Sequence, residues 1–242
     1  MTNTAEQTLA SIVTTHSQTA PVLEKYNLDF CCKGKRTLAE ACLEKGLSVE
    51  AVMEELEASS KSNSNASIPF TEMNAEQLIR YILVHHHFYV KQAMPAIEEH
   101  LTKVGAKHGA HFPYLKEVLQ LFIHLKNEMS LHLQKEEVVL FPRIKEIEAL
   151  YNYKQKKNID ASYIFAPVGV METEHDEAGE IMNKIRQLTD NYKAPIEACT
   201  TFKLVMEELK KFEEDLHKHV HLENNLLFPV AENMLAAVSN II

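Results

Sequence analysis

The chain has 242 residues, of which 45% are apolar and 24% charged, and carries a formal charge of −9. That length suffices for a substantial core, and the acidic balance argues against a nucleic-acid binder, which would carry a basic patch. Only 6 glycines and 8 prolines occur, too few for an all-β fold built on tight turns, and no run approaches the ~20 apolar residues of a membrane helix.

In chain order, the first residues, MTNTAEQTLASIV, have no basic start leading into an apolar stretch. No signal peptide is predicted, and a cytoplasmic location is expected. Residues 1–57 read as a small helical domain: Leu9, Ile12 and Val13 follow helical spacing, and Leu47, Ala51, Met53 and Leu56 do so more loosely. Gly34 and Gly46 punctuate it. The cysteines Cys31, Cys32, Cys42 and Cys199 include no CxxC pair, which suits neither a disulfide framework nor a zinc ribbon. Residues 58–70 are serine-rich and lack apolar periodicity, as a flexible linker does.

Residues 71–242 divide into four long helical segments. The first spans about 74–104 and is broken by Gly105 and Gly109; the second starts at Pro113 and runs to about 150. A polar crossover covers 151–161, Pro167 opens a third helix to about 190, and Pro195 opens the fourth. The predicted fold is all-α, the small N-terminal domain preceding an antiparallel four-helix bundle.

Two segments of the bundle match. Glu128-Met-Ser-Leu-His132-Leu-Gln-Lys-Glu136-Glu-Val-Val-Leu-Phe-Pro142 and Asp215-Leu-His-Lys-His219-Val-His-Leu-Glu223-Asn-Asn-Leu-Leu-Phe-Pro229 both read acid-x3-His-x3-Glu-x4-Phe-Pro, 87 residues apart. Residues four apart share a helix face, so each copy aims an imidazole and a carboxylate at one point. Glu137 competes with Glu136, but its counterpart is Asn224, which favours Glu136. The partner helix of each hairpin adds a histidine at the same depth: His87 lies 45 residues before His132, and His175 lies 44 before His219. His86 is one residue out of that register. His217 and His221 lie about 200° around the helix from His219 and read as a solvated or weakly interacting face. The Phe-Pro pairs read as packing and helix-ending residues.

Four histidines and two glutamates thus converge. Two cations held about 3.5–4 Å apart repel each other, and bridging carboxylates lower that repulsion. Imidazoles complete each coordination sphere; the mixed set suits iron, manganese or zinc. Glu128 and Asp215, one turn from the ligand histidines, are candidate acceptors for the free ring N–H groups. His16, His100, His111 and His124 have no comparable context.

These motifs resemble hemerythrin-like di-iron domains. Together with Asp29-Phe30-Cys31-Cys32 and Met171-Glu172-Thr173-Glu174-His175-Asp176-Glu177-Ala178-Gly179-Glu180, they resemble the RIC (repair of iron centres) family of bacterial di-iron proteins. The resemblance implies a non-haem centre of two iron ions with oxo and carboxylate bridges. It implies repair of iron–sulfur clusters damaged by nitric oxide or peroxide, clients with damaged or apo clusters, nitric oxide or O2 as small ligand, and often a homodimer. Its metal ligands fall on His87, His132, Glu136, His175, His219 and Glu223. A further histidine falls on His108, which straight helices would set about 30 Å from His87. The family's Cys-Cys-Gly-Gly is Cys31-Cys32-Lys33-Gly34 here. Lys33, Lys35 and Arg36 would lower a thiol pKa, and the pair would serve redox or docking roles or simply pack. A di-iron nitric oxide reductase, and a reversible O2 binder or iron sensor, are the rival readings.

Overall fold

The computed structural model describes residues 4–62 and 68–239. Four short helices come first: α1 (Leu9–Thr15), α2 (Ala20–Lys25), α3 (Leu38–Lys45) and α4 (Val49–Ser62). Local chemistry sets their ends. The Thr8 side chain accepts the Ser11 N–H at the start of α1. Thr37 and Glu40 form a capping box on α3, and Gly46 ends it at φ 64°, where a side chain would be strained. The serine-rich stretch is helical as far as Ser62, beyond the predicted start of the linker; residues 63–67 lie outside the described residues.

Four antiparallel arms follow. The first joins α5 (Ala75–Tyr81) to α6 (Phe88–His108), and the second joins α7 (Tyr114–Lys135) to α8 (Phe141–Asn152). The third is α9 (Ser162–Leu188); the fourth joins α10 (Thr200–Leu222) to α11 (Phe228–Val238). The predicted bundle is present, with two shifted starts. The fourth arm begins at Thr200 rather than Pro195. The third begins five residues before Pro167, which lies inside it. Proline cannot donate to the carbonyl four residues back, and here the Tyr163 carbonyl takes a hydrogen bond from Arg143 Nη1 at 3.0 Å instead. Glu148 of α8 accepts the N–H groups of Ala75 and Ala75's neighbour Glu76, tying the first arm's free end to the second.

Two apolar cores fill the bundle. One includes Leu101, Phe122, Val205 and Leu216 and is continuous with Leu9, Leu23, Phe30, Leu38 and Val52 of the N-terminal unit. The other, at the opposite end, includes Ile79, Phe141, Ile144, Ile164 and Phe228. Between them lies a layer of buried histidines and glutamates. Among the described residues no helix is long and apolar enough to cross a membrane.

The N-terminal unit is docked on the fourth arm. Asn225 Nδ2 donates to the Cys31 carbonyl at 3.0 Å, and the Thr14 hydroxyl meets His221 Nε2 at 3.2 Å. Phe30 packs edge-on against His221 and His217, at 5.6 and 6.1 Å between ring centres. The solvated or weakly interacting face expected at His217 and His221 is therefore an internal contact. His221 is buried, and burial pushes its pKa down to about 4.

Candidate metal centre

Each glutamate of the repeat opens a wide π turn, Glu136–Leu140 in the second arm and Glu223–Leu227 in the fourth. The Phe141 N–H donates to the Glu136 carbonyl and the Phe228 N–H to the Glu223 carbonyl, five residues back. Pro142 and Pro229, which follow at once, would break an ordinary ladder. A third π turn, Ile82–His87, delivers His87. Such turns insert a residue and re-aim the side chains around them. The hydrophobic period did not reveal them; the repeated Phe-Pro was the available signal.

The arms bring His87, His132, Glu136, His175, His219 and Glu223 together, all buried. Two four-donor sets result: His87, Glu136, His219 and Glu223; and His132, Glu136, His175 and Glu223, the donor atoms of each set lying within 4.8 Å of one another. Both glutamates belong to both sets. Glu223 Oε1 lies 2.9 Å from His219 Nε2 and 3.8 Å from His87 Nε2. Its other oxygen lies 3.2 Å from His175 Nε2. Glu136 Oε2 lies 3.3 Å from His87 Nε2 and 3.4 Å from His132 Nε2.

The outer nitrogens fix how these rings are protonated. His87 Nδ1 donates to Glu137 at 2.7 Å, His132 Nδ1 to Glu174 at 2.9 Å, and His175 Nδ1 to Asn224 at 2.9 Å. Lys91 and Lys135 bind the same two glutamates from the surface side. A neutral imidazole that donates at Nδ1 presents a lone pair at Nε2. Yet His132 and His175 face each other Nε2 to Nε2 at 3.0 Å, and His87 and His219 do so at 3.2 Å. Glu136 Oε1 and Oε2 and Glu223 Oε2 are buried with no hydrogen-bond donor among the described residues. The facing lone pairs of His132 and His175 and the undonated carboxylates are costly; cations between them remove the cost. The donor set fits metal ions.

The acceptors differ from those expected. Glu128 is exposed, and His132 uses Glu174 across the helix interface. Asp215 accepts from His86 Nδ1 at 3.0 Å rather than from His219. The reason is geometric: Nδ1 of an inward-aimed ring points at the neighbouring helix, not one turn back along its own. The residues missed, Glu137, Glu174 and Asn224, each adjoin a ligand in sequence, and that adjacency was the usable signal.

The electrostatics divide the four histidines, and Glu223 raises His175 against the cost of its burial. Burial pushes His132 down to about 4 and His219 to about 3, keeping both neutral. Burial and the Glu223 charge push Glu136 up to about 8. Burial opposes a charge on His87, but Glu136 and Glu223 outweigh it and raise that histidine to about 10. Positive charge is favoured at the centre.

His108 is not brought to it. It ends α6, a continuous helix of 21 residues from Phe88, with Nε2 3.2 Å from Cys199 Sγ and its ring 5.6 Å from that of Phe202. Cys31 and Cys32 lie in the loop between α2 and α3. The lowered thiol pKa expected from Lys33, Lys35 and Arg36 is reversed at Cys31: the Cys32 contact, burial and the Asp29 charge push it well up.

The sequence profile of the hemerythrin HHE cation binding domain matches residues 78–231, which contain all six converging residues. The chain belongs to the hemerythrin family. Ahead of the hemerythrin domain, residues 5–60 match ScdA_N, a domain of unknown function. The iron-sulfur cluster repair protein ScdA of Staphylococcus epidermidis is 30% identical over 226 residues, 93% of this chain and 97% of that protein. The iron-sulfur cluster repair proteins YtfE of Shigella boydii and Citrobacter koseri are each 33% identical over 226 residues, 93% of this chain and 96% of theirs. The likeness spans the ScdA_N region and the hemerythrin domain together, and the chain is a member of this iron–sulfur cluster repair group.

Proposed function

We propose that this chain holds two iron ions in its hemerythrin domain and repairs iron–sulfur clusters damaged by nitrosative or oxidative stress, supplying iron to damaged or apo clusters. The observation that carries the reading is that Glu136 and Glu223 are common to both four-donor sets. His87 and His219 would hold one ion and His132 and His175 the other, with the two carboxylates shared between them. Iron bound there supplies redox chemistry and positions for a small ligand such as nitric oxide or O2.

The protein's part is placement and release. Glu137, Glu174 and Asn224 hold three imidazoles with Nε2 inward. The two apolar cores exclude bulk water above and below the layer. Donors that must be deprotonated to ligate make holding dependent on pH. The proposed clients are proteins with damaged clusters, and the proposed location is the cytoplasm, where a homodimer would operate.

Anaerobically purified protein tests the reading by metal analysis and Mössbauer spectroscopy. A coupled pair of irons per chain, lost as a client cluster regains activity, is expected. Zinc, or one isolated iron, would overturn it. Steady nitrous oxide release from nitric oxide and reductant would replace the donor role with a reductase.

A further inference from the structure

Among the described residues one other group of donors converges, outside the bundle. Asp29, Cys31 and Cys32 offer ligating atoms within 4.8 Å of one another. Cys31 Sγ stands 3.9 Å from Cys32 Sγ and 3.2 Å from Asp29 Oδ1. Metal–sulfur bonds of about 2.3 Å at tetrahedral angles put two sulfurs about 3.8 Å apart. A disulfide needs about 2.05 Å. The thiols therefore stand at chelating distance rather than bonding distance.

The loop is built to keep that arrangement. Asp29 Oδ1 accepts the N–H groups of both Cys31 and Cys32 at 3.0 Å, and the Cys31 carbonyl is held by Asn225. A turn of this kind explains the backbone bonds; it does not require the Cys31 sulfur to stand 3.2 Å from the same carboxylate with the Cys32 sulfur within 4.8 Å. The group lines a cavity of about 340 Å³ between the loop and the third and fourth arms, which also exposes Lys33, Arg36, Asp176 and Glu180. Cys32 is only half-buried and gives the cavity access to the sulfurs.

We propose that Asp29, Cys31 and Cys32 form a second metal site that takes one thiophilic divalent cation, such as Fe(II), independently of the bundle. On binding, each S–H bond breaks and each sulfur gives its electron pair to the metal. Two protons leave to solvent, and no oxidant or reductant is required. Two thiolates and a carboxylate leave the occupied site with one net negative charge, and Lys33 lines the same cavity. A fourth position remains for an outside donor such as water or a client thiolate. The assignment holds whatever the hemerythrin domain carries.

Cobalt(II) titration of the reduced full-length chain under anaerobic conditions tests it. Thiolate-to-cobalt charge-transfer absorption reports sulfur ligation alone, since imidazole and carboxylate donors at the bundle give none. One equivalent per chain is expected to saturate the band. Cys31→Ser and Cys32→Ser should each abolish it, and Asp29→Asn should weaken binding at least about tenfold. The double variant Cys42→Ser/Cys199→Ser should retain it. If Cys31→Ser disturbs folding, the half-buried Cys32→Ser decides, with circular dichroism confirming its fold. No band in the wild-type chain, or a band that survives Cys32→Ser, overturns the proposal.

Discussion

The two hairpins of the bundle match at the centre and diverge one residue away from it. In both, the residue after the shared glutamate, Glu137 or Asn224, accepts the Nδ1–H of the other helix's histidine. The residue before that histidine differs. Glu174, before His175, accepts from His132. Its counterpart before His87 is His86, whose ring stacks on His219 at 5.7 Å and gives its own Nδ1 to Asp215. His219 Nδ1 has no partner among the described residues. The His132–His175 pair is thus held by two oxygen acceptors and the His87–His219 pair by one. Matched spacing makes two like positions for cations; unmatched neighbours make one of them looser, and a chelator is expected to empty the His87–His219 position first.

Removing what the hairpins share has the largest expected effect. Glu223 turns one oxygen to each histidine pair, so Glu223→Gln should reduce the metal content of the bundle from two ions to one or none. Next come the acceptors that distinguish the pairs. Glu174→Gln and Glu137→Gln should each weaken iron binding by about 10–100-fold, the first at the His132–His175 position and the second at the His87–His219 position. Chelator competition followed by Mössbauer spectroscopy checks both; equal losses at both positions would dissolve the asymmetry.

The shared glutamates are themselves unequal. Against the cost of burial, His219, His175 and His87 hold Glu223 well below the ordinary carboxylate range, whereas burial and Glu223 raise Glu136 from 4.5 to about 8. A carboxyl with a raised pKa favours the fold while protonated, and that contribution is lost as pH rises through the folded value. Glutamine copies the protonated form. Metal-free wild type and Glu136→Gln should therefore match below about pH 4.5. Toward pH 8 the variant should become the more stable of the two, as urea unfolding would show.

The inner six residues were legible because helix geometry turns sequence spacing into direction: four residues within a helix, and near-equal hairpin lengths between helices. The acceptors were not, because Glu137 and Glu174 reach across an interface whose rotation one sequence does not state. The π turns were hidden for a related reason, since one inserted residue leaves the apolar period almost unchanged. Pro167 misled because its cost is met by Arg143, 24 residues earlier in the chain.

The copies also diverge where the N-terminal unit docks. His221 and Asn225 correspond to Gln134 and Val138, both exposed on the second arm. The second copy departs from the first at the positions that touch Thr14, Phe30 and Cys31. Asn225→Val, which writes the first copy's residue into the second, removes the hydrogen bond to the Cys31 carbonyl. It should cost about 1 kcal/mol and raise hydrogen exchange in the loop between α2 and α3, with the iron content of the bundle unchanged.

The smallest expected effect on the metal lies at the far end of the bundle. His108 would complete the centre only if the first arm folded back on itself, and α6 runs unbroken from Phe88 to His108. At 1.5 Å per residue that helix carries His108 about 30 Å from His87. Its ring lies against Phe202 in the first turn of α10 and its Nε2 meets Cys199, which caps that helix. His108→Ala should therefore leave two irons per chain and an unaltered Mössbauer spectrum, while lowering stability by about 1 kcal/mol through lost packing. Loss of one iron on that substitution would show that the arm bends in solution, and the two hairpins would then no longer supply equal sets of ligands.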